Sequence, residues 1–179
     1  MPSVYQLKPG FQNLLRPIVR ALARAGVTPN QITILALVLS VLSGAAIVWQ
    51  PHARWPLLVL PGMLLVRMAL NAIDGVLARE HDMTSRAGAV LNEVGDVVAD
   101  AAMYLPVGLL HGIDARMVVV VVVLGVVSEM TGVVAQTLCG ERRYDGPMGK
   151  SDRAFVFGAM TLALGLGVGR GWYLNAVLA

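Results

Sequence analysis

Apolar positions along this chain come in long runs, not in the strict alternation of a half-buried strand. The runs fall near 31–49, 56–78, 87–110, 117–139 and 154–169. Each approaches the roughly 20 residues that an α-helix needs to cross a hydrocarbon core. The fifth run is short and glycine-rich. Beyond it, 171–179 contains Trp172 and Tyr173, residue types that suit a membrane interface. At about 1.5 Å per residue that tail is too short to cross, so it reads as the opening of a sixth span. Ahead of the first run, Leu14, Leu15, Ile18, Val19 and Leu22 interleave with Arg16, Arg20 and Arg24. At helical spacing this gives an apolar stripe beside a basic one, which lies along a membrane surface. Pro17 starts or kinks that helix. The pattern predicts an all-α, polytopic membrane bundle with five clear spans and the start of a sixth. It forms a single transmembrane domain over 1–179, with 1–28 as an amphipathic inner-leaflet segment and 29–179 as the bundle.

Composition supports the membrane class. Of the 179 residues, 56% are hydrophobic and 14% charged, against about 25% charged in a soluble domain. The one cysteine, Cys139, excludes an intrachain disulfide. No small-residue cleavage site follows the first apolar run, so no cleavable signal peptide is expected. Positive charge is distributed unevenly. Arg16, Arg20, Arg24, Arg79, Arg86, Arg142, Arg143, Lys150 and Arg153 gather, with Lys8, on one side of the predicted topology. Arg54, Arg116 and Arg170 lie on the other, and Arg67 lies within a span. This bias predicts a cytoplasmic N-terminus, in the inner membrane if the source is bacterial. It also accounts for the net charge of +3. No basic-aromatic patch or base-reading motif is present, and no nucleic-acid partner is expected.

The chemistry concentrates in NAIDGVLAREHDMTSRAGAVLNEVGDVVAD, residues 71–100. Carboxylates inside a bilayer are costly and mark partners, metals or water. Asn71, Asp74 and Ala78 share one helical face, and Asn92, Asp96 and Asp100 share another. Both sets sit at the inner ends of consecutive spans joined by a short loop. The spans are therefore expected to be antiparallel neighbours whose polar faces meet. Hard divalent cations take oxygen ligands and bridge carboxylates to substrate phosphates. Gly75 would let a ligand approach the backbone, and Arg79 offers a planar, bidentate cation. The constellation predicts a phosphate-and-metal site at the inner membrane surface. A lone intramembrane asparagine is more often interhelical glue, but five such groups on two facing helices argue against that reading.

These residues resemble the CDP-alcohol phosphotransferases (CDP-alcohol phosphatidyltransferases), whose signature is Asp-x2-Asp-Gly-x2-Ala-Arg-x8-Gly-x3-Asp-x3-Asp. Here Asn71, Asp74, Gly75, Ala78, Arg79, Gly88, Asn92 and Asp96 keep every spacing, with six of the eight positions identical. Pro29, Asn30 and Thr33 also look like the family's entry to its first span. The resemblance implies a six-helix membrane fold, a homodimer, and transfer of a substituted phosphate from a CDP-linked donor to an alcohol acceptor, releasing CMP. CDP-diacylglycerol is the expected donor, since a lipid donor explains a nucleotide site that opens at a bilayer surface. By the same resemblance Asp96 is the catalytic base. Asn71, Asp74, Asn92 and Asp96, with Asp100 as a further candidate, would hold one or two Mg²⁺ or Mn²⁺ ions. Asn30, Thr33, Asp74, Gly75, Ala78, Arg79 and Gly88 would bind the CDP group.

The chain departs from the signature where Asn71 and Asn92 replace aspartates. Each change keeps an oxygen and removes a negative charge. Two readings follow: an enzyme with a modified metal site, in phospholipid biosynthesis, or a catalytically impaired relative that binds CDP-lipid as a regulatory or scaffolding subunit. A proton-relay transporter is disfavoured, because 101–110 offers only Tyr104 as a polar group leading onward. Lys150, Arg142, Arg143 and Arg153 are candidates for holding a phosphorylated acceptor, with lipid headgroups as their plainer partners. Glu129, inside the fourth run, either faces the polar cavity or pairs with Arg67.

Overall fold

The computed structural model describes residues 7–139 and 149–168. They form six α-helices: α1 Leu7–Arg24, α2 Pro29–Trp49, α3 Trp55–Glu80, α4 Arg86–Tyr104, α5 Ala115–Cys139 and α6 Lys150–Gly165. No strand occurs among the described residues. Arg142, Arg143 and the expected sixth span at 171–179 lie outside them.

Local sequence sets the helix boundaries. The basic-apolar segment forms α1, with Pro17 inside it. Gly26, at φ +74°, then turns the chain after Arg24, a left-handed conformation that glycine adopts without a Cβ penalty. Thr28 caps α2 reciprocally with Gln31. The Gln31 amide donates to Thr28 Oγ1 at 3.4 Å, and the Thr28 amide donates to Gln31 Oε1 at 2.9 Å. Ser85 caps α4, accepting from the Gly88 amide at 2.9 Å. Asp152 reaches back at the start of α6 to accept from the Gly149 amide at 3.0 Å.

Among the described residues three helices, α2, α3 and Ala115–Leu138 within α5, are long and apolar enough to cross a membrane. The helices at the two other described spans, α4 and α6, are shorter or more polar. The run at 87–110 divides: α4 ends at Tyr104 and a 3-10 turn, Leu105–Leu109, follows. Pro106 stands at the start of that turn, where it lacks the amide that a continuing α-helix would use. α6 closes after 16 residues. Large apolar side chains such as Leu42, Leu65, Leu124 and Leu138 point outward. Such a surface suits hydrocarbon better than water.

α2 is the centre of the packing. It lies against both α3 and α4, while α6 packs on α3, and α5 packs on the 3-10 turn and α4. The close approach of α2 to α4 depends on Gly44: a Cβ there would stand 1.8 Å from the Ala102 carbonyl oxygen. α3 and α4 were expected to be direct neighbours, yet their backbones hardly touch. With α2 packed on both, the polar faces of α3 and α4 meet across a gap instead of a tight seam. One apolar core joins Ile47, Leu57, Leu60, Met103, Val107 and Phe157. Tyr104 stacks on Phe157 in it with ring centroids 4.2 Å apart. A second core, including Leu15, Val19, Ile73 and Leu77, seats α1 on the C-terminal half of α3.

Candidate active site

The gap between α3 and α4 is a cavity of about 450 Å³. The start of α2 supplies Asn30 and Thr33, and the end of α3 supplies Asn71, Asp74, Gly75, Ala78 and Arg79. The start of α4 supplies Gly88, Asn92 and Asp96, while α5 and α6 add Glu129 and Lys150. Every residue of the sequence signature lines this one space. Pro29, Ser85 and Lys150, also on its wall, stand at the beginnings of α2, α4 and α6. Helix N-termini carry unpaired amides and the positive ends of their dipoles, so their convergence favours an anionic ligand.

Two glycines in the wall are there for space. A Cβ on Gly88 would lie 2.7 Å from Asn30 Oδ1 and 2.8 Å from Ser85 Oγ. Gly88 therefore lets the N-termini of α2 and α4 come together. At Gly75 the nearest neighbour is the Arg79 guanidinium, 3.1 Å from a built Cβ, so Arg79 folds back over the helix at this point.

Each cavity carboxylate has its own partners. Thr33 donates its hydroxyl to Asp74 Oδ2 at 2.8 Å, and both residues are buried. Asp96 is more heavily engaged. Its Oδ1 accepts from Asn71 Nδ2 at 2.7 Å and from Arg67 at 3.3 Å, and its Oδ2 pairs with Lys150. Arg67 also donates to the Asp96 backbone carbonyl at 2.9 Å.

Deeper in the bundle the charges continue. Asp100 is buried between Arg67 and Arg153, the latter at 3.2 Å, and Arg153 also reaches Glu129 at 3.1 Å. Buried charges survive only when paired and hydrogen-bonded in this way. The network relocates two expectations. Asp100 does not line the large cavity, and its oxygens face two arginines instead of a metal position. Arg153, 3% exposed, is likewise committed inside and is not placed to gather an acceptor. Glu129 faces the cavity, the first of its two expected placements, and there it pairs with Arg153. Arg67, which the sequence offered only as a charge within a span and a partner for Glu129, instead lies against Asp96 and Asp100. Its signal was a charge in the middle of an otherwise apolar run.

Among the described residues, no three His, Cys, Asp or Glu side chains converge as a metal cluster. The cavity offers the carboxylates of Asp74 and Asp96, with the amides of Asn71 and Asn92, while its third carboxylate, Glu129, is engaged by Arg153. This all-oxygen set fits Mg²⁺ or Mn²⁺ bound through one or two carboxylates and completed by ligand phosphates.

Known proteins resemble this chain in sequence and in fold. The inner membrane protein YnbA of Escherichia coli is 46% identical over 166 residues, covering 92% of this chain and 81% of that protein. A phosphatidylinositol phosphate synthase of Mycobacteroides abscessus is 34% identical over 95 residues, covering 52% of this chain and 41% of the synthase. The chain thus spans less than half of that relative. Crystal structures of the Mycobacterium tuberculosis phosphatidylinositol phosphate synthase share the fold. The form with CDP-DAG bound matches at a TM-score of 0.69 and 22% identity, over 90% of this chain and 82% of that one. The form in complex with manganese and citrate matches at 0.69 and 23%, over 90% of this chain and 78% of that one. The sequence profile described as CDP-alcohol phosphatidyltransferase matches residues 26–179, and the chain belongs to that family.

Proposed function

We propose that this protein moves a phosphatidyl group from a CDP-linked lipid, CDP-diacylglycerol, to an alcohol and releases CMP. The observation that carries this reading is the shared cavity: Asp74, Asp96, Arg79 and Lys150 surround a space onto which three helix N-termini open. The Mycobacteroides abscessus relative, a phosphatidylinositol phosphate synthase, and the CDP-DAG-bound crystal structure support the same reading. In the proposed reaction the acceptor hydroxyl oxygen attacks the lipid-bearing phosphorus. The bond from that phosphorus to the bridging oxygen breaks, and CMP departs with that oxygen. Asp96 takes the hydroxyl proton. Asn30, Thr33, Gly75, Ala78, Arg79 and Gly88 form the CDP wall, and Arg79 holds phosphate.

Asp74 and Asp96, with the amide oxygens of Asn71 and Asn92, would hold Mg²⁺ or Mn²⁺. A bound divalent ion there neutralises the diphosphate and its leaving group. Lys150 is the acceptor-side cation, since its ammonium carries three donors and Asp96 does not use them all. A phosphorylated polyol is the acceptor that best suits it. The same reading places the N-terminus and the site on the cytoplasmic side. It also pairs two copies in the membrane, as the family resemblance implies.

The test is CMP release by the purified protein in detergent, with CDP-diacylglycerol and Mg²⁺, over a panel of polyols and polyol phosphates. Acceptor-dependent CMP that falls at least a hundredfold in Asp96→Asn supports the transferase. One observation favours a second reading, a CDP-lipid-binding subunit without turnover: both Asp96 oxygens already carry protein donors. CDP-lipid binding with no CMP from any acceptor would establish that reading instead.

A further inference from the structure

Lys150 occupies a position that helix physics alone disfavours. It is the first residue of α6, and a cation in a first turn opposes the helix dipole. Its side chain is 29% exposed, and it turns inward to pair with Asp96. Asp96 thus compensates Lys150 for its position, and Lys150 in turn neutralises Asp96. Arg67 and the Asn71 amide complete the set of donors on that carboxylate. Asp74 is different. Among the described residues it pairs with no cation, and it accepts a neutral hydroxyl from Thr33.

We propose that the Lys150 ammonium is a built-in cation of this site, replacing a second metal, so that the cavity takes one divalent ion on the Asp74 side. This rests on the metal-dependent reading under Proposed function. Charge balance gives the count. Among the described residues, the charges in and behind the cavity wall cancel, with Asp74, Asp96, Asp100 and Glu129 against Arg67, Arg79, Lys150 and Arg153. The two phosphates of a CDP-linked lipid bring two negative charges, which one divalent ion cancels. A second ion would leave uncompensated positive charge in a low-dielectric site. It would also have to compete with Lys150 for Asp96. The neutral Asn71 and Asn92 belong to the same arrangement: with an ammonium already present, aspartates there would add charge that nothing requires.

The experiment is Mn²⁺ binding by the full chain in detergent with saturating CDP-diacylglycerol, read as bound manganese per chain by equilibrium dialysis. One ion per chain is expected. Removing the ammonium in Lys150→Met should tighten Mn²⁺ roughly tenfold, the effect of deleting a nearby like charge at a moderately screened site. The triple variant Asn71→Asp, Asn92→Asp, Lys150→Met should bind two ions. Two ions in the unaltered protein would overturn the proposal and leave the metal reading intact. No bound ion at all would overturn both. If the triple variant does not fold, Lys150→Met decides alone: unchanged or weaker Mn²⁺ binding overturns the proposal.

Discussion

Asn71 on α3 donates its side-chain amide to Asp96 on α4 at 2.7 Å, across the gap between the two helices. An aspartate at this position would reverse the contact, setting a carboxylate against a carboxylate. Asn71→Asp is therefore expected to lose the hydrogen bond to a charged acceptor, about 1.5–3 kcal/mol, and add repulsion to it. Thermal unfolding in detergent with EDTA should show a lower midpoint. Mn²⁺ should restore part of it, because the new carboxylate then has a cation to share. A midpoint equal to that of the unaltered protein under EDTA would contradict this account of Asn71.

Arg67 joins the cavity to the deeper charges. It is buried, and it contacts both Asp96 and Asp100. Arg67→Met keeps the length of the stem but leaves those carboxylates short of a partner, and losing one member of a buried pair costs about 3–5 kcal/mol. The contrast is Arg16, whose pair with Glu80 has side chains 45% and 41% exposed. Arg16→Met should cost less than about 1 kcal/mol. Equal losses in the two variants, measured by unfolding under one condition, would show that burial of the network is not what gives it weight.

The site was legible in the sequence because helical spacing fixes which residues share a face. Asn71 with Asp74, and Asn92 with Asp96, could be placed on one side of each helix from their numbers alone. Their partners from distant segments could not. Lys150 and Arg153 sit three apart at the start of α6, yet one enters the cavity and the other is buried against Asp100 and Glu129. That division depends on α6 packing against α3, which no local pattern records. The same limit explains α2. Loop length suggested that α3 and α4 would pack side by side, but the small residue Gly44 admits α2 against the Ala102 carbonyl. The division of the run at 87–110 was readable in principle, since Pro106 marks it.

Gly44 supplies a direct test of that packing. A methyl group there meets backbone 1.8 Å away, so no side-chain rotation can relieve it, and α2 and α4 must separate. Gly44→Ala should cost at least about 1–3 kcal/mol, as overpacking of a filled core does. Gly62→Ala, on α3, meets nothing within 4 Å. There the gain in helix propensity should leave stability unchanged or raised by about 0.5–1 kcal/mol. Unfolding midpoints of the two variants side by side decide whether close approach or glycine content governs the bundle.

Thr33 tests how far the site depends on the orientation of Asp74. Its hydroxyl is 2.8 Å from Asp74 Oδ2, and no cation pairs with that carboxylate among the described residues. Thr33→Val keeps the branched shape and removes the donor, leaving a buried carboxylate oxygen short of its partner at a cost of about 1–3 kcal/mol. On the proposed reading Asp74 holds the divalent ion, so Mn²⁺ affinity in the presence of CDP should also fall severalfold as the carboxylate loses its fixed orientation. Thr33→Ser restores the hydroxyl and should recover most of the affinity, although it removes the methyl carbon that packs near Gly95. Titration of Mn²⁺ into the three proteins separates the two roles. Affinity lost in Thr33→Val and recovered in Thr33→Ser assigns the effect to the hydrogen bond, whereas equal loss in both assigns it to packing between α2 and α4.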